Sequence, residues 1–385
     1  MTVRLAAFNV ENLFDRAKAL NADTPGAHQD VLDAYAELNR LFEQAVYDAR
    51  SKRRMLGLMA LLELRPPRYA GPFALIRRIR GKLVHTPRGG EPEIVASGRA
   101  DWVGWCELVT EAVDEIAMLN TARVIRDVAA DILAIVEAES RPVLRRFHDL
   151  LLPKVGVAKG YRHLMLVDGN DDRGIDVGIA TRPGFPIDLM RSNVDLLGPD
   201  DKPVFSRDCP EYVVATPSGE HIVVLPNHFK SKFSPGKDGQ RQANARRRLQ
   251  AEAVAEIYRR LRRDGYDNVA ILGDLNDTPA SKPLSPLLTG TDLKDVSEHE
   301  AFTEFEYRAR TGGRGIGTYG NGRDDEKIDY ILLSPALFRR VAKGGIFRKG
   351  AWPGVRPQRW EVYPELAKPV HAASDHHAIW VDLDL

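Results

Sequence analysis

Short apolar runs, separated by polar and turn-forming stretches, recur along the chain. A run of roughly four to eight apolar residues bounded by turn signals is typical of a buried strand. The pattern predicts strands over residues 3–10, 132–136, 163–167, 176–181, 211–216, 220–226, 268–272, 328–333 and 378–383. Between the fifth and the sixth of these strands, the sequence Pro-Ser-Gly at 217–219 indicates a hairpin.

Longer segments have apolar residues at helical spacing. They predict helices over residues 28–63, 107–129, 143–152 and 240–263. Residues 65–104 are interrupted by prolines and glycines, and their apolar patches would suit a hairpin. Beyond residue 130 the predicted strands outnumber the predicted helices. We therefore expect a mixed α/β protein of the α+β type, whose sheets are covered by helices.

Charge is clustered along a chain whose net charge is only +1. Residues 50–88 contain eleven basic residues and one acidic residue, Glu63, which gives this window a charge of +10. A second basic run consists of the arginines at 241, 246–248, 259, 260, 262 and 263. Such clusters can attract phosphate groups, although two solvated helix faces would also account for them.

Two cysteines, Cys106 and Cys209, are too few for a disulfide framework and fit a reducing compartment. No apolar run is long enough to span a bilayer, and the N-terminal residues lack the features of a secretory signal. The sequence thus predicts a cytoplasmic protein without a membrane span or a disulfide-linked partner, and it leaves the oligomeric state open.

Several predicted strands end in residues that can bind metal or phosphate. Any one of these ends could be a simple cap or turn, but their joint occurrence indicates a site, because function collects at strand ends and the loops beyond them. The segments are 8–12 (FNVEN), 131–140 (DILAIVEAES), 171–178 (DDRGIDVG), 227–232 (NHFKSK), 271–277 (ILGDLND) and the pair 327–334 (KIDYILLS) and 374–380 (SDHHAIW).

In type and order these segments resemble the endonuclease/exonuclease/phosphatase superfamily, which includes pancreatic deoxyribonuclease, abasic-site endonucleases, neutral sphingomyelinases and inositol polyphosphate phosphatases. The resemblance implies a four-layer α/β/β/α sandwich of two packed mixed sheets flanked by helices. It implies one such domain over residues 1–385. Residues 16–122 are longer than the family's usual link between its first two strands, so we expect a mainly helical, basic insertion there.

The resemblance also implies a metal-dependent phosphoric ester hydrolase that uses Mg²⁺, or Mn²⁺ in its place. A hard divalent cation neutralises the charge that develops during phosphate transfer, and it prefers oxygen ligands. By resemblance Glu137 is the metal ligand, with Glu139 as its competitor. Glu11 and Asp375 match further metal positions, although Glu11 could point to solvent. Whether one metal or two bind stays open.

Two more motifs match catalytic positions of the family. Asp274 would orient and deprotonate the attacking water, Asn276 would hold a phosphate oxygen, and Asn9 would orient the metal ligand or the phosphate. Residues two apart in an extended segment share a face, so Asp274 and Asn276 can meet one substrate. An Asx turn at the end of a strand is the alternative for this pair.

Asp329 and His376 form the second catalytic unit that the resemblance implies. The carboxylate would fix the tautomer of His376 and favour its charged form, and the imidazolium would stabilise the transition state or protonate the leaving group. His377 is expected to point the other way. His228 would contact the phosphate as a second acid, supported by Asn227.

Three basic residues are candidates for phosphate contact. Arg173 resembles an arginine that holds a phosphate oxygen, and a surface ion pair with a neighbouring aspartate is its alternative. Lys230 and Lys232 are candidates for contact with a nucleic-acid backbone. The glycine-rich residues 312–322 are expected to form a mobile loop near the site.

The basic clusters and the forms of the NHFKSK and DRGIDVG segments favour a nuclease that acts on DNA or RNA, with nucleic acid as the partner. The same catalytic set would serve a phosphodiesterase or phosphatase acting on a lipid headgroup, an inositol phosphate or a nucleotide. A catalytically dead nucleic-acid-binding protein is a third hypothesis, and the intact set of catalytic residues argues against it. The choice between endonuclease and exonuclease stays open.

Overall fold

The structure is a computed structural model that describes residues 1–11, 13–20, 28–171, 174–232, 236–305, 307, 314–354 and 359–385. The chain forms two compact units. The first unit consists of Met1–Phe14 and Val113–Leu385, and the second consists of Asp15–Ala112. That the second unit is an insertion into one family domain remains a prediction.

The elements are numbered in chain order. The first part of the chain contains β1 (Thr2–Asn9), β2 (Asp15–Ala17), α1 (Gln29–Phe42), α2 (Ala49–Leu61), β3 (Ala74–Arg80), β4 (Val84–His85), β5 (Glu93–Ile94), β6 (Val103–Leu108), β7 (Thr110–Ala112), α3 (Glu115–Val128), β8 (Ile132–Ala138) and α4 (Arg141–Leu151). The middle part contains β9 (His163–Val167), β10 (Asp176–Thr181), β11 (Ile187–Arg191), β12 (Glu211–Ala215), β13 (His221–His228), α5 (Gly236–Arg263) and β14 (Val269–Asp274). The last part contains α6 (Ser285–Leu288), β15 (Lys294–Asp295), β16 (Phe302–Glu304), β17 (Asp329–Leu333), α7 (Pro335–Phe338), β18 (Val341–Phe347) and β19 (Ala378–Asp384).

Two mixed sheets form the centre of the first unit. The seven-stranded sheet has the order β16-β18-β19-β1-β8-β10-β9, and the six-stranded sheet has the order β11-β12-β13-β14-β17-β15. Each sheet contains a parallel pair, β1 with β8 and β13 with β14. In each sheet the next neighbour of that pair, β19 or β17, runs antiparallel. The parallel strands therefore end at the edge where β19 and β17 begin.

Alternating side chains build the layers of this unit. In β1, Leu5 and Ala7 belong to the core between the two sheets, whereas Ala6 and Phe8 pack with α3 and α4 on the outer face. The outer face of the six-stranded sheet packs against α5. Burial of both faces explains why these strands are apolar throughout. The predicted four-layer α/β/β/α sandwich is confirmed.

Polar residues start the helices that cover the seven-stranded sheet. Asp114 accepts a hydrogen bond from the backbone N–H of Ile116 (2.8 Å) at the start of α3, and Ser140 accepts one from the N–H of Val143 (3.3 Å) at the start of α4. Each cap satisfies a backbone donor that has no partner within its helix. Because α4 begins directly after β8, the end of this strand is fixed in place.

The second unit contains α1, α2 and three strand pairs, β2–β7, β3–β6 and β4–β5. These elements surround a core of their own that includes Leu38, Phe42, Met55 and Trp102. The predicted helix over 107–129 is wrong at its start, because residues 103–112 are strands and the helix begins only at Glu115. Pairing of β6 with β3 outweighs local helical spacing in this stretch.

The hairpin predicted within residues 65–104 corresponds to the short β4–β5 pair. In the part of the chain that the structure describes, no helix combines the length and the apolar character needed to cross a membrane. Cys106 and Cys209 are both free thiols and both buried.

Candidate active site

Period-two alternation directs four polar side chains into the space between the sheets. In β1, Leu5 and Ala7 face the inner core, so Asn9 faces the same way. The same rule places three further side chains inward at the ends of β13 and β14 and at the start of β17. Val224 lies four residues from the first of them, Leu272 and Ile331 lie two residues from the others, and all three belong to the inner core. The three inward side chains are those of His228, Asp274 and Asp329.

Four buried side chains meet there, and we call them the central cluster: Asn9, Asp274, Asp329 and His376. The Nδ1 atom of His376 lies 2.9 Å from Asp329 Oδ2, and its Nε2 atom lies 3.9 Å from Asp274 Oδ2. The amide nitrogen of Asn9 lies 3.4 Å from both Asp274 Oδ2 and His376 Nε2. Asp329 thus binds the Nδ1 atom of the imidazole, while the Nε2 atom points toward the centre of the cluster.

Glu137 reaches the same space through an irregularity in β8. Asp176 and Val177 of β10 pair with Ala138 and Val136, so Glu137 is an extra residue in the ladder. It has a left-handed backbone with a φ of 66°. Ala138 packs on the outer face, which strict alternation would have given to Glu137. A bulge re-aims side chains, and Glu137 Oε1 consequently lies 3.5 Å from the Nε2 atom of His228.

His228 connects Glu137 to the central cluster. Its Nε2 atom lies 3.7 Å from Asp274 Oδ2, and its side chain is almost fully buried. The register of the parallel pair β13–β14 sets His228 beside Asp274, so the contact follows from strand pairing. The structure therefore brings together Asn9, Glu137, His228, Asp274, Asp329 and His376 from both sheets.

Local backbone conformation and hydrogen bonding explain the sequence of the Gly-Asp-Leu-Asn segment. Gly273 has a φ of 127°, and a Cβ atom there would lie 2.2 Å from the carbonyl oxygen of Asn227. Glycine is therefore required at this position. Asn276, also left-handed at 54°, donates from its backbone and side-chain nitrogens to the two oxygens of Asp274, at 2.8 and 3.0 Å. An Asx turn is present, and it orients the carboxylate of Asp274.

Three other acidic residues differ in position. The backbone N–H of Asp375 donates to Glu11 Oε2 (3.1 Å), and Asp375 Oδ1 lies 3.8 Å from His376 Nε2. The Asp375 side chain is half exposed, so this pair lies at the rim of the central cluster. Glu139 instead accepts hydrogen bonds from the N–H groups of Leu13 and Phe14, at 3.1 and 2.9 Å. Glu139 therefore fixes the chain after β1.

Three predicted residues make their described contacts outside the central cluster, and a fourth lies outside the described residues. Asn227 faces the α5 side of its strand, together with Leu225, whose carbonyl accepts its amide hydrogen bond (3.0 Å). The backbone N–H of Lys230 donates to Gln250, and the ammonium of Lys232 lies 3.3 Å from Asp277 Oδ1. Arg173 lies outside the described residues.

The structure adds two residues from the glycine-rich stretch that sequence reasoning treated only as a loop. The hydroxyl of Thr318, fully buried, accepts a hydrogen bond from the N–H of Asp329 (2.8 Å), and its carbonyl accepts one from the N–H of His377 (2.7 Å). The ring of Tyr319 meets the ring of His376 edge-on at 5.0 Å. The closeness of a Thr-Tyr pair to the following KIDY segment is the sequence signal that could have pointed to them.

A third residue missed by sequence reasoning is Arg247, which comes from the second basic run. Its side chain is fully buried, and Nε lies 3.1 Å from Asp277 Oδ2. Its Nη1 atom donates to the carbonyls of Lys230 and Ser231, at 3.1 and 3.0 Å. Arg247 thus holds the NHFKSK segment in place from α5. His377, as predicted, faces away from the cluster and packs against Trp360.

Burial and charge shift the protonation of the central cluster. Burial, reinforced by the nearby carboxylate of Asp329, raises the pKa of Asp274. Burial alone would lower the pKa of His376, but attraction to Asp329, Asp274 and Asp375 raises it well above its ordinary value. This shift favours the charged form of the imidazole. It can stabilise negative charge, or donate a proton from Nε2.

The donor set of the site fits a divalent cation. Asp274, Asp329 and His376 can each offer one ligand atom, and these atoms lie within 4.8 Å of one another. Burial is the main cause of the raised pKa of Asp274, and repulsion from the carboxylates of Asp329 and Glu137 adds to it; a cation would relieve that repulsion. Glu137 adds a further oxygen ligand close to them. Oxygen-rich sites of this kind suit hard divalent metals.

The chain is similar to known proteins. A model of the endonuclease/exonuclease/phosphatase family matches residues 84–350. Similar solved structures include a protein of that family from Bacteroides thetaiotaomicron (20% identity, TM-score 0.49, 70% of this chain and 88% of that one). They also include a mannosyl-6-phosphatase from the same species (19% identity, TM-score 0.49, 70% of this chain and 92% of that one). A third is truncated TDP2 from Caenorhabditis elegans (17% identity, TM-score 0.47, 70% of this chain and 91% of that one).

No curated protein matches the chain. The family match nevertheless extends over well more than half of its 385 residues. The resemblance inferred from the sequence is thereby confirmed. The chain belongs to the endonuclease/exonuclease/phosphatase family, whose members are phosphoric ester hydrolases that generally use a divalent metal.

Proposed function

We propose that this protein is a Mg²⁺-dependent phosphodiester hydrolase that acts on DNA or RNA. The observation that carries the proposal is the central cluster, in which a charged imidazole and a buried carboxylate face one space. His376 Nε2 and Asp274 Oδ2 lie 3.9 Å apart, and the amide nitrogen of Asn9 lies 3.4 Å from each of them. Such a pair can serve the two ends of a displacement at phosphorus, where one group removes a proton and the other stabilises negative charge.

Each side chain of the site has a proposed role. Asp274, oriented by Asn276, accepts the proton of the attacking water. Asn276 would contact a phosphate oxygen in exchange for its amide hydrogen bond to the carbonyl of Phe229. His376, held by Asp329, stabilises the charge that develops on the phosphate. His228 provides a second imidazole on the side of Glu137. Asn9 positions the phosphate between Asp274 and His376.

The proposed metal ligands are Glu137, Glu11 and Asp375, with Mg²⁺ as the ion and Mn²⁺ as its substitute. A divalent cation at this place would polarise the phosphoryl oxygens and lower the repulsion between the carboxylates. The set of Asp274, Asp329 and His376 is the alternative binding position. We give preference to Glu137, because Asp329 Oδ2 is already engaged by the Nδ1 atom of His376.

The charge of the site supports a diester substrate over a terminal phosphate. A phosphodiester carries one negative charge and a terminal phosphate carries about two, so a carboxylate-rich site repels the diester less. Two nearby lysines do not offset the carboxylates, because Lys232 pairs with Asp277 and Lys327 with Asp295. The buried free thiols of Cys106 and Cys209 support the cytoplasm as the proposed compartment.

A substrate panel tests the proposal. Pure protein with Mg²⁺ is assayed side by side against plasmid DNA, single-stranded DNA, RNA, bis-nitrophenyl phosphate, sphingomyelin and inositol phosphates. We expect cleavage of nucleic acid and of bis-nitrophenyl phosphate, loss of both with EDTA, and recovery with added Mg²⁺ or Mn²⁺. Activity that survives EDTA would contradict the metal requirement. Turnover of sphingomyelin or inositol phosphates in preference to nucleic acid would replace the proposed substrate.

A further inference from the structure

The two-stranded sheet of β3 and β6 in the second unit has one face in the core and one face in solvent. Ile76 pairs with Cys106, and the next residue pair along the strands is Arg77 with Trp105. Cys106 is buried in the core of the unit, against which Ile76 also packs. Because paired residues share a face and successive residues alternate, Arg77 and Trp105 lie together on the solvent face.

Large apolar groups are exposed on this sheet. Trp105 is 41% exposed and Ile79 is 69% exposed. Arg78 pairs with Gly104 and Arg80 with Val103, so Ile79 is an extra residue that the ladder skips. Such a bulge increases the local twist and turns the extra side chain outward. A half-exposed indole presents a flat ring on which another flat ring can stack.

The same strand is strongly basic. Arg77, Arg78, Arg80 and Lys82 fall within residues 74–82. Across residues 74–82 and 103–108, all of which the structure describes, the acidic side chain is Glu107, and its carboxylate binds Arg77 (Nε to Oε2, 2.8 Å). Arg80 has its Nη2 atom 3.2 Å from the carbonyl of Ala100 and remains exposed. The solvent face therefore combines one indole with a net positive charge.

We infer that this face of the β3–β6 sheet binds single-stranded nucleic acid. The inference rests on the proposed function and narrows its substrate to a strand with unpaired bases. A base stacks on the Trp105 ring, since every base has a flat face and unpaired bases leave it accessible. The guanidinium group of Arg80, which pairs with Val103 and therefore lies on the same face as Trp105, and the ammonium of Lys82 contact the phosphates on either side.

Binding is measured by the fluorescence anisotropy of a labelled oligothymidylate and the full-length chain, with EDTA present so that the strand is not cleaved. Loss of one base–aromatic stack weakens binding by roughly 5- to 100-fold. We expect Trp105→Ala to raise the Kd by that amount and Trp105→Phe to retain most of the affinity. For Arg80→Ala combined with Lys82→Ala, the slope of log Kd against log salt should fall by about 1.4, or about 0.7 for each lost phosphate contact.

The matched control removes two exposed, ion-paired lysines from the first unit, Lys154→Ala with Lys343→Ala. It loses the same charge as the variant without Arg80 and Lys82, but its salt slope should stay that of the unaltered chain. Hydrolysis of bis-nitrophenyl phosphate and circular dichroism are measured for every variant. We expect both to be unchanged, because none of the altered residues belongs to the active site.

Three results would overturn the inference. They are no binding of the oligothymidylate by the unaltered chain, equal binding by folded Trp105→Ala, and Trp105-dependent binding of phosphatidylserine vesicles without binding of the oligonucleotide. The proposed function fails separately. If the strand binds through Trp105 but neither DNA nor RNA is cleaved with Mg²⁺, the binding surface stands and the nuclease assignment falls.

Discussion

The first unit buries charged side chains where the second unit exposes them. Arg247 is fully buried and held by Asp277 and two backbone carbonyls, and Asp274 is buried and held by Asn276. In the second unit, Arg54 and Arg77 form ion pairs whose side chains are exposed to water. Buried charges interact strongly and are fixed in place, whereas exposed charges are screened by solvent and salt.

The buried charges of the first unit and the exposed charges of the second unit have different effects. At the strand ends of the first unit, neighbouring groups reset one another's pKa, as Asp329 does for His376. On the second unit the charges mainly create a field that draws in a polyanion. A substitution of a buried charged residue in the first unit should therefore act on the chemical step or on folding, whereas a substitution of an exposed basic residue on the β3–β6 sheet should act on the salt dependence of binding.

The largest expected effect is on hydrolysis. Asp274→Asn and His376→Ala should each lower kcat/KM for bis-nitrophenyl phosphate by about 10²- to 10⁴-fold, because each removes a group that handles a proton or stabilises developing charge. Initial rates at saturating Mg²⁺ measure the loss. The control is Asp238→Asn, an exposed carboxylate on α5 that should keep full activity. Near-normal rates in either site variant would disprove the assignment of the central cluster.

The next effect is on stability. Arg247→Met should lower the free energy of unfolding by about 3–5 kcal/mol, since Asp277 would remain buried without its main partner. Arg241→Met, on the same helix but with a side chain 79% exposed, should leave the stability unchanged within error. Urea unfolding followed by circular dichroism compares the two. Equal stability of both variants would mean that burial does not distinguish these two arginines.

A smaller effect concerns the metal. Glu137→Gln should raise the Mg²⁺ concentration for half-maximal activity at least about 10-fold, because even residues that only support a metal ligand affect affinity by roughly 10- to 100-fold. Glu139→Gln is the matched control, since its carboxylate binds the backbone of Leu13 and Phe14. A Mg²⁺ titration of both variants is the measurement. A larger shift for the Glu139 variant would exchange the two assignments.

Much of the fold and of the site could be predicted from the sequence, because side chains alternate along a strand and the apolar positions show which of them face inward. Once β14 is recognised, the inward positions of Ala270 and Leu272 already direct Asp274 into the space between the sheets. The same reasoning applies to Asn9 after Leu5 and Ala7. It could also have shown that His228 and its neighbour Asn227 cannot both face the site, as was argued correctly for His376 and His377.

Other features depend on contacts that a local pattern does not contain. Glu137 faces inward only because β8 has an extra residue opposite β10. Thr318 is placed by its bond to Asp329, eleven residues further along the chain. The strand Val103–Leu108 is set by its pairing with β3, although its last two residues fall in the segment 107–129, whose spacing suggested a helix. These features arise from pairing and packing between distant segments.

The bulge in β8 has a consequence for attempts to stabilise or redesign this enzyme. A left-handed φ at a residue with a side chain costs of order 1–3 kcal/mol, and Glu137 adopts one. Methods that reward regular geometry would remove the extra residue and restore the ladder with β10. The repaired sheet would be more stable, but the carboxylate would turn toward the outer helices. In this strand, the change that would increase stability would therefore remove a carboxylate from the active site.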